Sequence, residues 1–136
     1  MDRDRSTQKV DREKTCPFLL RVFYKVKEER ALEDYQKLLG TVDQQEDELQ
    51  IYTWMDITLR ELAALIKESL PTDLKNSYSR MEINFIFQNS KGEMNKRAAG
   101  AINFGKRKPD DKATLKDRKY VIGDFIDVSL WGDRSQ

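Results

Sequence analysis

The stretch from Thr58 to Pro71 constrains the fold of this chain more than any other. Thr58 and Glu61 have the spacing of a capping box, in which each side chain satisfies a free backbone amide at a helix start. Leu59, Leu62, Ala63, Ile66 and Leu70 then fall on one face, and Pro71 stops the helix. A helix with a single apolar stripe must bury it against something. The chain supplies alternating runs suited to strands. Phe18 to Tyr24 turns Leu20, Val22 and Tyr24 inward, with Phe18 beside them and Arg21 outward; Leu49 to Thr53, Met81 to Phe87 and Phe125 to Leu130 alternate likewise. Ala31, Leu32, Tyr35, Leu38 and Leu39, ahead of Gly40, have the spacing of a short helix. The polar segment Asn89 to Ala113 reads as a long loop with a short strand near Ala101 to Phe104.

The order is strand, strand, helix, strand, loop, strand, an α+β chain in which one helix packs on a mixed sheet. It resembles the β-grasp of ubiquitin. Leu49, Ile51, Thr53, Thr58, Leu59, Leu62 and Ile66 stand where ubiquitin's second strand and helix place their inward residues, and Thr114-Leu115 resembles its final turn. The expected architecture is a ubiquitin-like β-grasp with an extra short helix in the first strand–strand connection and the first and last strands paired centrally. Residues 15–131 form the expected domain, between a flexible charged tail over 1–14 and a short C-terminal tail over 132–136.

Composition narrows the chemistry. Lys+Arg number 25 and Asp+Glu 24, so no chain-wide attraction to nucleic acid or acidic membrane is expected. Histidine is absent, which removes the commonest general base and metal ligand. Cys16, the single cysteine, reads as a small buried residue. Asp124 and Asp127 point to opposite faces of any strand containing both, so they do not read as a catalytic pair. No catalytic site, metal, cofactor or membrane association is expected, and the chain reads as soluble and intracellular.

The outward positions carry more apolar bulk than a solvated sheet face normally does. They are Leu19, Arg21 and Phe23; Gln50, Tyr52 and Trp54; Asn84 and Ile86; and Phe125, Asp127, Ser129 and Trp131. Leu19, Arg21, Phe23, Tyr52, Trp54, Phe125 and Asp127 are the expected partner-binding residues, with Phe23, Tyr52 and Phe125 as anchors and Arg21 and Asp127 for orientation. Two alternatives stand beside this: the 25–47 segment or the long loop covers the face, or a partner strand adds along Leu49 to Thr53. Trp54 reads equally as a plug for the sheet's end. Lys106, Arg107 and Lys108, with Lys91, Lys96 and Arg97 taken as nearby, are candidate phosphate contacts, diluted by Asp110 and Asp111.

Three stretches carry a closer resemblance: Asp11 to Phe23, Glu48 to Leu62 and Ile122 to Val128. They are similar to the family of the Sin-three-associated polypeptide of eighteen kilodaltons, over roughly Asp11 to Leu130. The resemblance implies a nuclear, ubiquitin-like, non-enzymatic adaptor. Its implied partners are the Sin corepressor and histone deacetylase. An Acinus-like protein and an RNA-binding splicing activator linked to the exon junction complex are implied as well, with RNA reached only indirectly. A direct RNA-binding module is the second reading.

Overall fold

The computed structural model describes residues 10–26, 31–41, 43–75 and 78–132. Five strands form one mixed sheet: β1 (Phe18–Val26), β2 (Glu48–Thr53), β3 (Arg80–Gln88), β4 (Met94–Asn103) and β5 (Phe125–Trp131). Their order is β2-β1-β5-β3-β4, with β1 and β5 parallel at the centre and the remaining pairs antiparallel. This is the expected ubiquitin-like arrangement.

The main helix, α2 (Leu59–Ser69), begins with the capping box read from the sequence. Glu61 N–H donates to Thr58 Oγ1 at 3.1 Å and Thr58 N–H donates to Glu61 Oε1 at 2.9 Å. Leu59, Leu62, Ala63 and Ile66 are buried against Leu20, Val22, Ile51, Ile83, Phe85, Ile126 and Val128 in the larger core. The expected short helix is α1 (Leu32–Leu38). It packs on the other face of the sheet, where Tyr35 and Leu38 join Phe23, Ile86, Met94 and Phe125 in a second cluster.

The sequence reading is corrected at β4. Ten residues assigned mostly to loop form a full strand against β3. Its alternation is hidden because the register shifts from Ile83↔Gly100 to Asn84↔Ala98, so Ala99 is an extra residue and the two-residue period slips by one. Gly100 sits where a Cβ would come within 2.9 Å of Leu59 Cδ1 and 3.1 Å of Asp110 Oδ2, so a larger residue here would push these two side chains aside. Cys16 is exposed rather than buried, because it precedes the first paired residue of β1. Of the tail expected over 1–14, residues 1–9 lie outside the described residues. The rest is attached: Val10 N–H and the Arg12 guanidinium both donate to the Asp56 carboxylate. Of the C-terminal tail, residues 133–136 lie outside the described residues.

Candidate functional site

The outward face of the sheet divides into a covered half and an open half. In the covered half Phe23 and Tyr35 are fully buried, and Phe125 is 6% exposed. Their rings make edge-on contacts, Phe23 to Tyr35 at 5.4 Å and Phe23 to Phe125 at 5.6 Å. Asp127 lies beneath the same helix and accepts a hydrogen bond from Tyr35 O–H at 2.6 Å. Asn84, Ile86 and Ser129 are buried as well. The expected open patch around Phe23, Phe125 and Asp127 is therefore corrected: α1, which lies within the 25–47 segment, covers it. The physical reason is that a seven-residue helix cannot persist alone, so its apolar side chains need a surface, and these aromatics supply it.

Arg21 is half-buried and occupied within the chain. Its guanidinium donates to both Glu48 carboxylate oxygens, at 2.9 Å to Oε1, and to the carbonyls of Thr41 and Asp43. It also lies 5.6 Å from the Phe23 ring centre and 5.7 Å from that of Phe125. Arg21 thus fastens the α1–β2 connection to the sheet. Burial pushes the Glu48 carboxyl up, but hydrogen bonds from Arg21, the Gln45 amide and Gln50, with the Arg21 charge, outweigh it. The net result holds Glu48 below its ordinary value. The Arg21 guanidinium is correspondingly raised, chiefly by its bond to Glu48.

The open half lies at β2. Tyr52 is 64% exposed and stands directly opposite the half-buried Leu19. β2 is also an edge strand, with β1 on one side only. Tyr24 N–H donates to Asp47 O at 3.2 Å in continuation of the β1–β2 register. Bonded and non-bonded pairs alternate along an antiparallel ladder, so Leu49, Ile51 and Thr53 bond to β1. The amides of Glu48, Gln50 and Tyr52 point the other way. Those of Glu48 are taken by Gln45 O and the Gln44 side chain, which leaves the Gln50 and Tyr52 groups on the open edge. Trp54, half-buried, closes the end of this strand. Its Nε1–H donates to Thr15 O at 2.7 Å and the Arg12 guanidinium lies 4.9 Å above its ring.

The other edge is guarded differently. β4 carries exposed Lys96 and Arg97 and the bulge at Ala99, features that deter strand addition.

Lys106, Arg107 and Lys108 are all exposed just beyond the C-terminal end of β4. Lys91 lies past its other end, roughly 30 Å away at the rise of an extended strand, so these basic residues do not form one patch. Arg97 donates to the carbonyls of Arg118 and Lys119. The adjacent acids are engaged, Asp110 with Arg118 at 2.8 Å and Asp111 with Arg60 at 3.3 Å. Phe104 is half-buried beneath Lys67, 4.6 Å from its ring centre.

The sequence reading did not identify Glu48 as the partner of Arg21. The signal was present: a lone arginine at the middle of an apolar strand needs an acid close by in the fold. It also gave no surface role to Val121 and Ile122, which are 62% and 59% exposed.

Comparison with known proteins follows this architecture. The family model for Sin3 associated polypeptide p18 (SAP18) matches residues 9–130. An Arabidopsis thaliana protein named histone deacetylase complex subunit SAP18 is 43% identical over 124 residues, covering 90% of this chain and 79% of the relative. Proteins of the same name are 36% identical in Drosophila melanogaster, over 90% of this chain and 79% of theirs, and 37% identical in Homo sapiens, over 89% and 77%. With the match running from the attached N-terminal segment to the end of the central strand β5, the chain belongs to the SAP18 family.

Proposed function

We propose that this chain is a non-enzymatic adaptor subunit of a nuclear histone deacetylase corepressor complex, and that it holds a partner by accepting an extended segment along β2. Family membership and the names of its relatives support the complex. The observation that carries the binding mode is Tyr52, a large ring left exposed on an edge strand whose Gln50 and Tyr52 backbone groups face outward. An added strand would satisfy those groups, and its side chains on the outer face would meet Tyr52 and Leu19. Trp54 borders this surface. The partners in this reading are the Sin corepressor and a histone deacetylase. In mRNA processing they are an Acinus-like protein and an RNA-binding splicing activator linked to the exon junction complex, with RNA reached through them.

The test is affinity purification of the tagged chain from nuclear extract, with recovered Sin subunit and deacetylase activity as readouts. Gln50→Pro removes an outward N–H without touching the ladder to β1, a substitution edge strands tolerate. Gln50→Pro and Tyr52→Ala should each lower recovery severalfold, Tyr52→Ala at unchanged thermal stability and Gln50→Pro with the small loss that follows from deleting the Gln50 side-chain hydrogen bond to Glu48. Recovery equal to wild type for both would contradict the β2 reading.

A second reading, direct RNA contact through Lys106, Arg107 and Lys108, is favoured by one observation: the ion pairs of Asp110 and Asp111 leave these three cations exposed. Phe104, packed under Lys67, is poorly placed to stack a base. The expected outcome is weak, salt-sensitive binding without sequence preference, checked by titrating unrelated RNA oligonucleotides.

A further inference from the structure

Leu65 is a large apolar side chain of α2 that the core does not use, and it is 42% exposed. At about 100° per helical residue it stands on the flank opposite Arg60 and Lys67. Those two reach past the end of β4, Arg60 to the carbonyls of Asn103 and Phe104 and to Asp111, Lys67 to the Phe104 ring. The sheet under α2 has β4 at one edge and β2 at the other, so Leu65 looks towards β2. Leu49 of β2, half-buried, is turned to the same face. A strand added along β2 would place every second side chain beside Leu49 and Leu65.

The charges of α2 are sorted between the same two flanks. Arg60 and Lys67 are its cations and lie on the β4 side, whereas Glu61 and Glu68 stand beside Leu65. Glu68 is exposed and makes no ion pair among the described residues. The end of α2 meets the start of β2 in an acidic corner. There the Tyr24 phenol is pushed up by burial first and then by the charges of Asp73, just past α2, and Glu46, just before β2. Asp47 accepts from Tyr24 N–H at the same place. Lys25 and Lys75 adjoin these acids without matching Glu46, Asp47, Glu68 and Asp73 in number, and Lys37 on the outer face is accompanied by Asp34. The last carbonyls of α2 add partial negative charge. At the opposite end of the groove the charges balance: Arg12 is bound to Asp56 at 2.6 Å, and Lys116, whose N–H donates to Met55 O, is followed by Asp117.

We propose that the segment taken up along β2 belongs to a partner protein and is aliphatic on the side facing α2, with Lys or Arg where it reaches the corner of Glu46, Glu68 and Asp73. This choice of partner rests on strand addition at β2. The probe is a synthetic peptide with Val-Ile-Val at its centre and Lys-Arg on each side, titrated into the full ¹⁵N-labelled chain and followed by NMR. The amides of Gln50 and Tyr52 should shift together with those of Leu65 and Glu68, and added salt should weaken binding. Glu68→Lys and Leu65→Ser should each weaken it by about threefold or more while the thermal transition is kept, since both side chains are largely in water. Equal binding of an Asp-Glu-flanked peptide, or shifts on β2 that leave Leu65 and Glu68 silent, overturns this choice of partner and leaves strand addition at β2 standing. Silence at β2 with both peptides overturns the two together. A dimer of the chain in sedimentation, abolished by Leu65→Ser, also overturns the proposal, for then the groove serves a second copy.

Discussion

Each face of the sheet is covered by a helix, one along its length and the other only in part, and by different means. Against one, the eleven-residue α2, capped by its own side chains, lays an aliphatic stripe on aliphatic strand residues. Against the other, the seven-residue α1, whose N-cap Ala31 makes no side-chain hydrogen bond, rests two buried side chains on an aromatic pair and a buried aspartate. The first helix has local signals that favour it before any tertiary contact forms. The second depends on what it covers and on Arg21, which fastens the segment behind it. The comparison teaches that an aromatic, apolar outward face does not by itself mark a binding site. The chain can supply its own cover, and the surface left for a partner is where that cover stops, at Tyr52.

The comparison can be broken most severely at the aromatic pair. Phe23→Ala with Phe125→Ala removes two buried rings, each worth about 3–5 kcal/mol, so the double variant should lose its cooperative urea transition. A near-native transition would show that this face is dispensable cover. Leu62→Ala on the α2 face should cost about 2–5 kcal/mol in the same measurement. Tyr35→Phe keeps the ring and deletes the hydrogen bond to Asp127, and should cost about 1.5–3 kcal/mol, since the acceptor is a buried acid.

Acid provides a graded test of the fastening. The Glu48 carboxyl is held below its ordinary value of 4.5, so its contribution to stability is fully present above that pH and is lost as pH falls through the lower folded value. Glu48→Gln should flatten this acid limb of a stability–pH curve. Tyr52→Ala should be the mildest change to the fold, within about 0.5 kcal/mol of wild type by denaturant titration, because the ring is mostly in water.

Much of this architecture was legible in the sequence, and the exceptions have physical causes. The capping box, the α2 stripe, the α1 spacing and the inward residues of β1, β2, β3 and β5 follow from local periodicity, which the structure keeps. β4 escaped because one bulged residue moves its pattern from one face to the other partway along. The site was less legible for a different reason. Alternation tells which face a residue takes, but not what else comes to lie on that face. Phe23, Phe125 and Asp127 were placed on the outward side and are there, under a helix whose destination no local pattern encodes. That helix was itself a clue, since its apolar side chains required a surface and the α2 face was already filled. Tyr52 kept its exposure because β2 lies at the edge, beyond the reach of α1.

The most direct test of the account is residue-resolved hydrogen exchange, comparing the chain alone with the chain in its purified deacetylase complex. The Gln50 and Tyr52 amides should exchange fast in the free chain and slow markedly in the complex, while the amides of α1 and of Phe23 and Phe125 change little. Fast exchange at Gln50 and Tyr52 in the complex, together with loss of protection in α1, would mean that the partner displaces the helix and binds the aromatic face instead. That result would contradict the division of the sheet into a covered half and an open one.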